Sequence, residues 1–180
     1  MRGFIALPVP EAEKDDLILQ TAGLRARYPE LKWIGSQGLH ITLNFLGEIE
    51  ERMLPFLRTT MESAAMRMET FDLSLRGLSS FPRKGPPRVI FVPVIDGARS
   101  CIELQHRLSD TLESHFPRER RRFTPHLTLA RVKSGRAPDP ERESQDIGVN
   151  YRVDRVVLYR SVLTPRGAFY EELYRAPFTG

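Results

Sequence analysis

The chain has 180 residues, of which 41% are hydrophobic and 28% are charged, and its formal net charge is +4. These proportions are ordinary for a soluble globular protein. No apolar run approaches the roughly 20 residues that a membrane-spanning helix needs. The N-terminal stretch MRGFIALPVPEAEKDD lacks the hydrophobic region and cleavage site of a signal peptide, so we interpret it as a first strand. A single cysteine, Cys101, excludes an internal disulfide and favours the cytoplasm.

The basic residues are mostly arginines, with lysine only at positions 14, 32, 84 and 133. The planar guanidinium fork suits phosphate groups. Genome base composition explains the arginine bias at least as well. The charge therefore permits a nucleotide or nucleic-acid ligand without establishing one.

The spacing of apolar residues predicts a β-α-β-β-α-β half followed by a β-α-β-β-β half. The predicted strands are 4–9, 31–34, 39–45, 71–78, 88–94, 127–132, 153–163 and 168–174. The predicted helices are 11–28, 50–68 and 98–116, the second with Pro55 in its first turn. Residues 134–150 are polar and are expected to form a long loop. The shared order predicts one pseudo-symmetric α+β domain, residues 1–180, with mainly antiparallel sheets.

Two strand-like segments carry the same tetrapeptide pattern, His-x-Thr-Leu: LHITLNFLGE (39–48) and PHLTLAR (125–131). Side chains alternate between the two faces of a strand. In the first segment this places on one face His40, Thr42 and Asn44, and on the core face Ile41, Leu43 and Phe45. In the second segment it places on one face His126, Thr128 and Ala130, opposite Leu127 and Leu129. Each segment therefore presents one imidazole and one hydroxyl.

Two histidines without metal ligands indicate acid–base chemistry. The imidazole pKa near 6.5 lets one ring be neutral and the other protonated at neutral pH. Such a pair supplies a general base and a general acid, while threonine hydroxyls donate to an anion. The set fits attack of water on a phosphodiester, and spacing alone does not decide which histidine is the acid. A single His-x-Thr is more typical of a half-exposed surface strand, but one copy in each half is much less expected by chance.

These residues give the chain a resemblance to the 2H phosphoesterase superfamily, defined by two His-x-Thr/Ser-x motifs. It is most similar to the RNA 2′,3′-cyclic phosphodiesterases, historically called 2′-5′ RNA ligases. The similar segments are FIALPVP (4–10), Trp33 with HITLNFLGE (40–48), GLSSFPRKGPPRVIFVPV (77–94), FTPHLTLAR (123–131) and VVLYRSVLTPRGAFYEEL (156–173). The resemblance implies a bilobal, pseudo-two-fold fold with sheets flanking a central cleft and helices on the outside.

The resemblance also implies roles for the motif residues. His40 would donate a proton to the leaving 3′ oxygen, and His126 would accept one from water. Thr42 and Thr128 would hold the phosphate, and no metal or other cofactor would be needed. The substrate would be RNA with a 2′,3′-cyclic phosphate end or a related nucleotide, the product a 2′-phosphomonoester, with weak reverse ligation. We expect a monomer that makes no membrane contact.

Two other functions stay open at this point. The chain could be a nucleotide- or RNA-binding module without physiological turnover, or a cyclic phosphodiesterase for a small nucleotide. Arg131 matches the family's HxTxxR pattern and is a candidate phosphate ligand. Strict alternation nevertheless places Arg131 on the core face, so it reaches the cleft only if the strand bends, bulges or ends there.

Several further residues have both a functional and a structural interpretation. A basic loop carries Arg118, Arg120, Arg121 and Arg122, which could steer RNA toward His126 or form a solvated charged surface. Trp33 and Phe81 could stack on a base, although core packing is the commoner use of such residues. We interpret His106 and His115, on the third predicted helix, as structural or surface residues. Cys101 is expected to be a buried apolar residue.

Overall fold

The computed structural model describes residues 1–117, 121–133, 135–143, 147–164 and 167–180. Its strands are β1 (Arg2–Pro8), β2 (Lys32–Trp33), β3 (His40–Glu48), β4 (Phe71–Arg76), β5 (Ser79–Phe81), β6 (Val89–Asp96), β7 (His126–Arg131), β8 (Gly148–Val153), β9 (Arg155–Thr164) and β10 (Gly167–Pro177). Its helices are α1 (Glu11–Gln20), α2 (Ala22–Arg27), α3 (Leu54–Ala65), α4 (Ala98–Leu112) and the short α5 (Pro140–Glu143).

The strands form two antiparallel sheets whose membership interlocks the two ends of the chain. The first sheet has the order β10-β9-β1-β3. The second has the order β2-β7-β6-β4-β8, with β5 paired to β6. Strand β2 thus joins the second sheet although it precedes β3, and the last two strands return to the first sheet beside β1. The two lobes are therefore not simply the two halves of the sequence.

A continuous apolar core connects the sheets with the longer helices. Leu17 from α1, Leu57 and Met61 from α3, and Leu104 and Leu108 from α4 are all fully buried. Helix α4 packs against α3, against β3 of the first sheet and against β6 of the second. Because α4 contacts both sheets, it holds the two motif-bearing lobes in a fixed relation.

The predicted helix 11–28 divides into α1 and α2 at Thr21. The Thr21 side chain is buried, and its hydroxyl donates to the Leu17 carbonyl oxygen at 2.7 Å. A hydroxyl bonded to the preceding turn competes with the backbone ladder and bends helices. Gly23, which follows two residues later, weakens the helix further. The Thr21 N–H still donates to the Leu17 carbonyl oxygen at 3.0 Å and the Arg25 N–H to the Thr21 carbonyl oxygen at 2.9 Å, so the division is a local change in backbone angles, with φ −92° and ψ 1° at Thr21.

The loop predicted over residues 134–150 is wrong in part. Pro140–Glu143 forms α5, and β8 begins at Gly148 and pairs along its whole length with β4. Val149, Tyr151 and Val153 of β8 are buried in alternation, which is the pattern of a strand with one face on the core. The predicted strand 153–163 therefore combines the end of β8 with β9.

The prediction of an α+β fold with mainly antiparallel sheets is confirmed. Helix α3 starts at Leu54 with Pro55 in its first turn, as expected. Helix α4 starts after Gly97, whose φ is +78° and where a Cβ would lie 2.6 Å from the Asp72 carbonyl oxygen. Only glycine fits this turn without strain. Within the described ranges, no helix combines the length and apolar character needed to cross a membrane.

Candidate active site

The two predicted histidines occupy equivalent positions in the two sheets. In the first sheet, His40 at the start of β3 pairs with Pro8 of β1. In the second sheet, His126 at the start of β7 pairs with Pro93 of β6. Both histidines therefore begin a strand opposite a proline, and the residues that follow remain in the same relative register.

Both motif strands also bulge at the same place. On β3, Thr42 pairs with Ala6 and Asn44 with Ile5, which leaves Leu43 as an extra residue. On β7, Thr128 pairs with Phe91 and Ala130 with Ile90, which leaves Leu129 as the extra residue. An extra residue in one strand of an antiparallel pair reverses the faces of the side chains beyond it. The side chains therefore change faces at the leucine that follows each motif threonine, once in each lobe.

The bulges overturn the predicted faces of four residues. Asn44 is half-buried and its amide donates to the Ser109 hydroxyl at 2.7 Å, and Ala130 is fully buried. Strict alternation predicts both on the histidine faces. Phe45, predicted to face the core, is 68% exposed. Arg131 is also exposed, and it lies beside Val89, on the side of the strand that carries His126 and Thr128. Strict alternation is wrong beyond each bulge, and the bulge in β7 returns Arg131 to the face of the strand that carries His126.

His40 is enclosed by aromatic rings from its own sheet. The Phe4 ring stacks on the imidazole at a centroid distance of 4.7 Å, and Tyr170 meets it edge-on at 5.1 Å. Tyr159 lies 6.2 Å away. The Nε2 atom of His40 is 3.0 Å from the Thr42 hydroxyl. Packing on two sides and this contact hold the ring in one orientation.

His126 is held by two rings and, as His40 is at Gly38, by a hydrogen bond to the backbone. Its Nδ1 atom is 2.6 Å from the carbonyl oxygen of Thr124. Phe91 and Phe81 pack against the imidazole at centroid distances of 5.0 and 5.1 Å. Because a carbonyl oxygen only accepts, Nδ1 carries the proton in the neutral ring. The Nε2 lone pair is then available to accept a proton.

Burial lowers the pKa of both histidines. For His40, desolvation lowers the pKa from its usual 6.5 to about 4, opposed by a hydrogen bond to the backbone of Gly38 and supported by the charges of Lys14 and His126. For His126, desolvation also lowers the pKa, opposed by the bond to Thr124 and supported by the charge of Arg131. Each histidine is therefore neutral at pH 7 in the ligand-free protein.

The two half-sites meet between β3 and β7, whose Cα atoms approach within 8 Å. The electrostatic effect of His126 on His40 reflects the same closeness. Lys14 carries no signal in the sequence that points to the site. It lies on α1, its side chain is largely buried, and it forms a 2.7 Å ion pair with Glu11. Helix periodicity gives no sign that the charge of Lys14 acts on His40, since that depends on how α1 is placed against the first sheet.

The other candidates have mostly structural surroundings. The Trp33 indole N–H donates to the Tyr28 carbonyl oxygen at 2.8 Å, and Arg25 covers the ring at 4.9 Å. Phe81, by contrast, forms part of the wall around His126. Of the basic loop, Arg121 and Arg122 are exposed, whereas Arg118 and Arg120 lie outside the described residues.

His106 is exposed on α4. His115 lies three residues beyond the end of α4, where its ring packs on Phe56 at 4.4 Å. Cys101 is fully buried, and burial raises the pKa of its thiol to about 12, which suits a core residue. In the described part of the chain, no three histidine, cysteine or acidic side chains cluster as a metal site would require.

The sequence matches known families. A family model described as the 2′-5′ RNA ligase superfamily matches residues 12–164. A protein of Thermotoga maritima named RNA 2′,3′-cyclic phosphodiesterase is 32% identical over 184 residues, covering 100% of this chain and 97% of the relative. A protein of Aeropyrum pernix with the same name is 35% identical over 150 residues, covering 80% of this chain and 84% of that relative.

Solved structures share the fold. A crystal structure of a Thermus thermophilus protein superposes with a TM-score of 0.86 at 30% identity, covering 100% of this chain and 99% of that one. The structure of E. coli LigT complexed with 3′-AMP gives a TM-score of 0.79 at 26% identity, covering 99% of this chain and 98% of that one. The interlocked sheets and the paired motifs are those of the 2H phosphoesterases. Within that class, the chain belongs to the 2′-5′ RNA ligase superfamily.

Proposed function

We propose that this protein hydrolyses the 2′,3′-cyclic phosphate ends of RNA to 2′-phosphomonoesters, with His40 as the general acid and His126 as the general base. One observation carries the proposal. Two imidazoles, each followed two residues later by a hydroxyl, occupy the same register on two strands that approach each other. Such a pair can act on both sides of one phosphorus atom.

The hydrogen bonding of His126 suits a base. Its Nδ1–H is directed at the Thr124 carbonyl oxygen, so the neutral ring has its lone pair on Nε2. Desolvation and the charge of Arg131 keep its pKa below the usual value. A histidine that is already neutral at pH 7 can accept a proton from water without first losing one.

His40 must carry a proton to act as an acid. In the free protein its pKa is about 4, chiefly because burial disfavours the charged ring. A bound phosphodiester adds a negative charge beside the imidazole, and an opposite charge at close range favours the protonated form. The substrate therefore raises the pKa of the acid that cleaves it.

The phosphate is held by residues from both lobes. Thr42 and Thr128 donate their hydroxyls to the non-bridging oxygens, and the Arg131 guanidinium pairs with the same group. Within the described residues, the Thr128 hydroxyl and the Arg131 guanidinium have no side-chain hydrogen bond or ion pair, which leaves both available to a ligand. Lys14 adds a further positive charge on the His40 side.

The reaction balances without an added reagent. Water attacks the phosphorus atom and loses a proton to His126, while the bond from phosphorus to O3′ breaks and O3′ takes the proton of His40. The products are a 2′-phosphate and a free 3′ hydroxyl. With the 5′ hydroxyl of a second RNA in place of water, the same roles give weak 2′-5′ ligation: the hydroxyl loses its proton to His126, its oxygen bonds to phosphorus, and O3′ leaves with the proton of His40.

The test is phosphorus NMR of an oligonucleotide ending in a 2′,3′-cyclic phosphate, with the protein in excess EDTA, beside His40→Ala and His126→Ala. Removing a positioned acid or base costs about 10²- to 10⁴-fold. We expect a 2′-phosphate signal from the wild-type protein and a loss of this size in each variant.

Other outcomes point to the alternatives. Turnover that EDTA abolishes would contradict the metal-free mechanism. Oligonucleotide binding without turnover in all three proteins would leave a binding module. Faster hydrolysis of a cyclic mononucleotide than of the oligonucleotide would favour a small nucleotide as substrate.

A further inference from the structure

A basic groove of about 840 Å³ opens beside the second motif, between the turn after β5 and the segment after β7. The side chains used below are Arg83 and Arg88 on one wall and Lys133 on the other. None of the four motif residues lines it. The groove is therefore separate from the point where the two histidines meet.

The groove is nevertheless fixed to the active site by strand pairing. Arg88 directly precedes Val89, which pairs with Arg131. The Arg88 carbonyl oxygen accepts from the Val132 N–H at 2.9 Å, and the Arg88 N–H donates to the Phe81 carbonyl oxygen at 2.7 Å. The Phe81 ring in turn contacts His126. These short connections make the groove a continuation of the His126 side of the site.

The positive charges in the groove are not neutralised by the protein. Arg83, Arg88 and Lys133 are exposed, and in the part of the chain that the structure describes none of them has an ion pair or a side-chain hydrogen bond. Asp139 is the acidic residue of the described lining, and it pairs with Arg142 at 3.5 Å. Three unpaired positive side chains along the groove favour a ligand with several separate negative charges.

We propose that this groove binds the phosphate backbone of the RNA nucleotides upstream of the cyclic end. The inference rests on the proposed function, since it takes the reacting phosphate to lie between His40 and His126. The groove follows the Arg131 end of β7, whereas His126 begins this strand, roughly 16 Å away at about 3.3 Å per residue. An RNA chain of several nucleotides can extend from the reacting phosphate along the strand into the groove, and it is the occupant that we propose.

The test compares two substrates and two triple variants. One variant combines Arg83→Gln, Arg88→Gln and Lys133→Gln. The control combines Arg67→Gln, Arg76→Gln and Arg99→Gln, three exposed arginines outside the groove that change the net charge by the same amount. The substrates are an oligoribonucleotide with a 2′,3′-cyclic end and a 2′,3′-cyclic mononucleotide, each measured over a range of salt concentrations.

We expect the groove variant to lose at least about tenfold in kcat/KM on the oligonucleotide, mainly through KM, and much less on the mononucleotide. Each single-strand phosphate contact contributes about 0.7 to the slope of log affinity against log salt. Loss of three contacts should therefore reduce that slope by about 2 for the oligonucleotide. The control variant should keep the wild-type ratio between the two substrates.

The outcomes separate this inference from the proposed function. If the wild-type protein hydrolyses neither cyclic substrate, the proposed function fails. If it hydrolyses both and the groove variant keeps the wild-type ratio and salt slope, the function stands and the groove assignment is wrong. An equal loss in the groove and control variants would show a general charge effect and would also overturn the assignment.

Discussion

The two half-sites share a backbone and differ in what surrounds their histidines. The aromatic half-site, around His40, is closed by Phe4, Tyr159 and Tyr170. The cationic half-site, around His126, has two packed rings and the charge of Arg131. Pairing register and bulge position are the same in both. The comparison shows that one strand arrangement supports two chemical environments.

The sharpest difference lies three residues after each motif threonine. Phe45 and Arg131 occupy this same position beyond the two bulges, and both are exposed. The Phe45 ring lies 6.2 Å from Phe4, on the His40 face of the sheet. An exposed ring is suited to stack on a nucleobase, and a guanidinium is suited to a phosphate. We infer that Phe45 of the aromatic half-site stacks on the base, and that Arg131 of the cationic half-site pairs with the phosphate that the two threonines hold.

Among the substitutions that test this comparison of half-sites, we expect the largest loss of activity when the Thr128 hydroxyl of the cationic half-site is removed. Removing one preorganised donor to a developing oxyanion costs about 10²- to 10³-fold in kcat. We expect Thr128→Val to lose this much in steady-state turnover, and Thr128→Ser, which keeps the hydroxyl, to lose far less. Thr42→Val should also alter the pH dependence, because the Thr42 hydroxyl contacts His40 Nε2. Equal activity of the Val and Ser variants would remove Thr128 from the phosphate site.

A smaller effect is expected at Phe45. Stacking on an aromatic side chain is worth about 1–3 kcal/mol per base, so Phe45→Ala should raise KM for a cyclic nucleotide by about 5- to 150-fold. The same variant should show no change on ribose 2′,3′-cyclic phosphate, which has no base. Phe169→Ala removes another exposed ring, 52% accessible on β10, and serves as the matched control. A loss on the base-free substrate would contradict the stacking role.

Much of this site follows from sequence. The repeated His-x-Thr-Leu pattern predicts two imidazole and hydroxyl pairs, and β3 and β7 present them as expected. A second repeat, which the two motifs alone do not reveal, lies in FIALPV (4–9) and VIFVPV (89–94). Aligning these strands pairs Pro8 with Pro93, which are the partners of the two histidines. This repeat carries the signal for the shared register.

The bulges could not be predicted from either motif alone. Period-two alternation assigns Phe45 to the core, and only pairing with β1 shows that Leu43 is an extra residue. Strand β8 is missed for another reason. The residues before it contain Gly and Pro and favour a loop, and this signal outweighs the alternation of Val149, Tyr151 and Val153. The electrostatic effect of Lys14 on His40 depends on tertiary packing, which no local pattern records.

The smallest expected effect is a pKa shift, which tests whether the charge of Arg131 acts on His126. The positive charge of Arg131 disfavours protonated His126 and lowers its pKa. Arg131→Gln removes the charge, so the pKa rises and the midpoint of an imidazole titration of His126, followed by NMR without substrate, moves to higher pH. Arg131→Lys keeps a charge and should leave the midpoint nearer its original position.

The contrast between these two substitutions separates charge from packing. A structural role for Arg131 would lower activity at every pH and leave the His126 midpoint in place, in both variants. The pKa of His40 should change less, because the charges that lower it come from Lys14 and His126 and not from Arg131. Equal pKa shifts at both histidines would mean that the two half-sites titrate as one unit. The aromatic and cationic half-sites would then differ in the side chains around each histidine but not in their electrostatic response to Arg131.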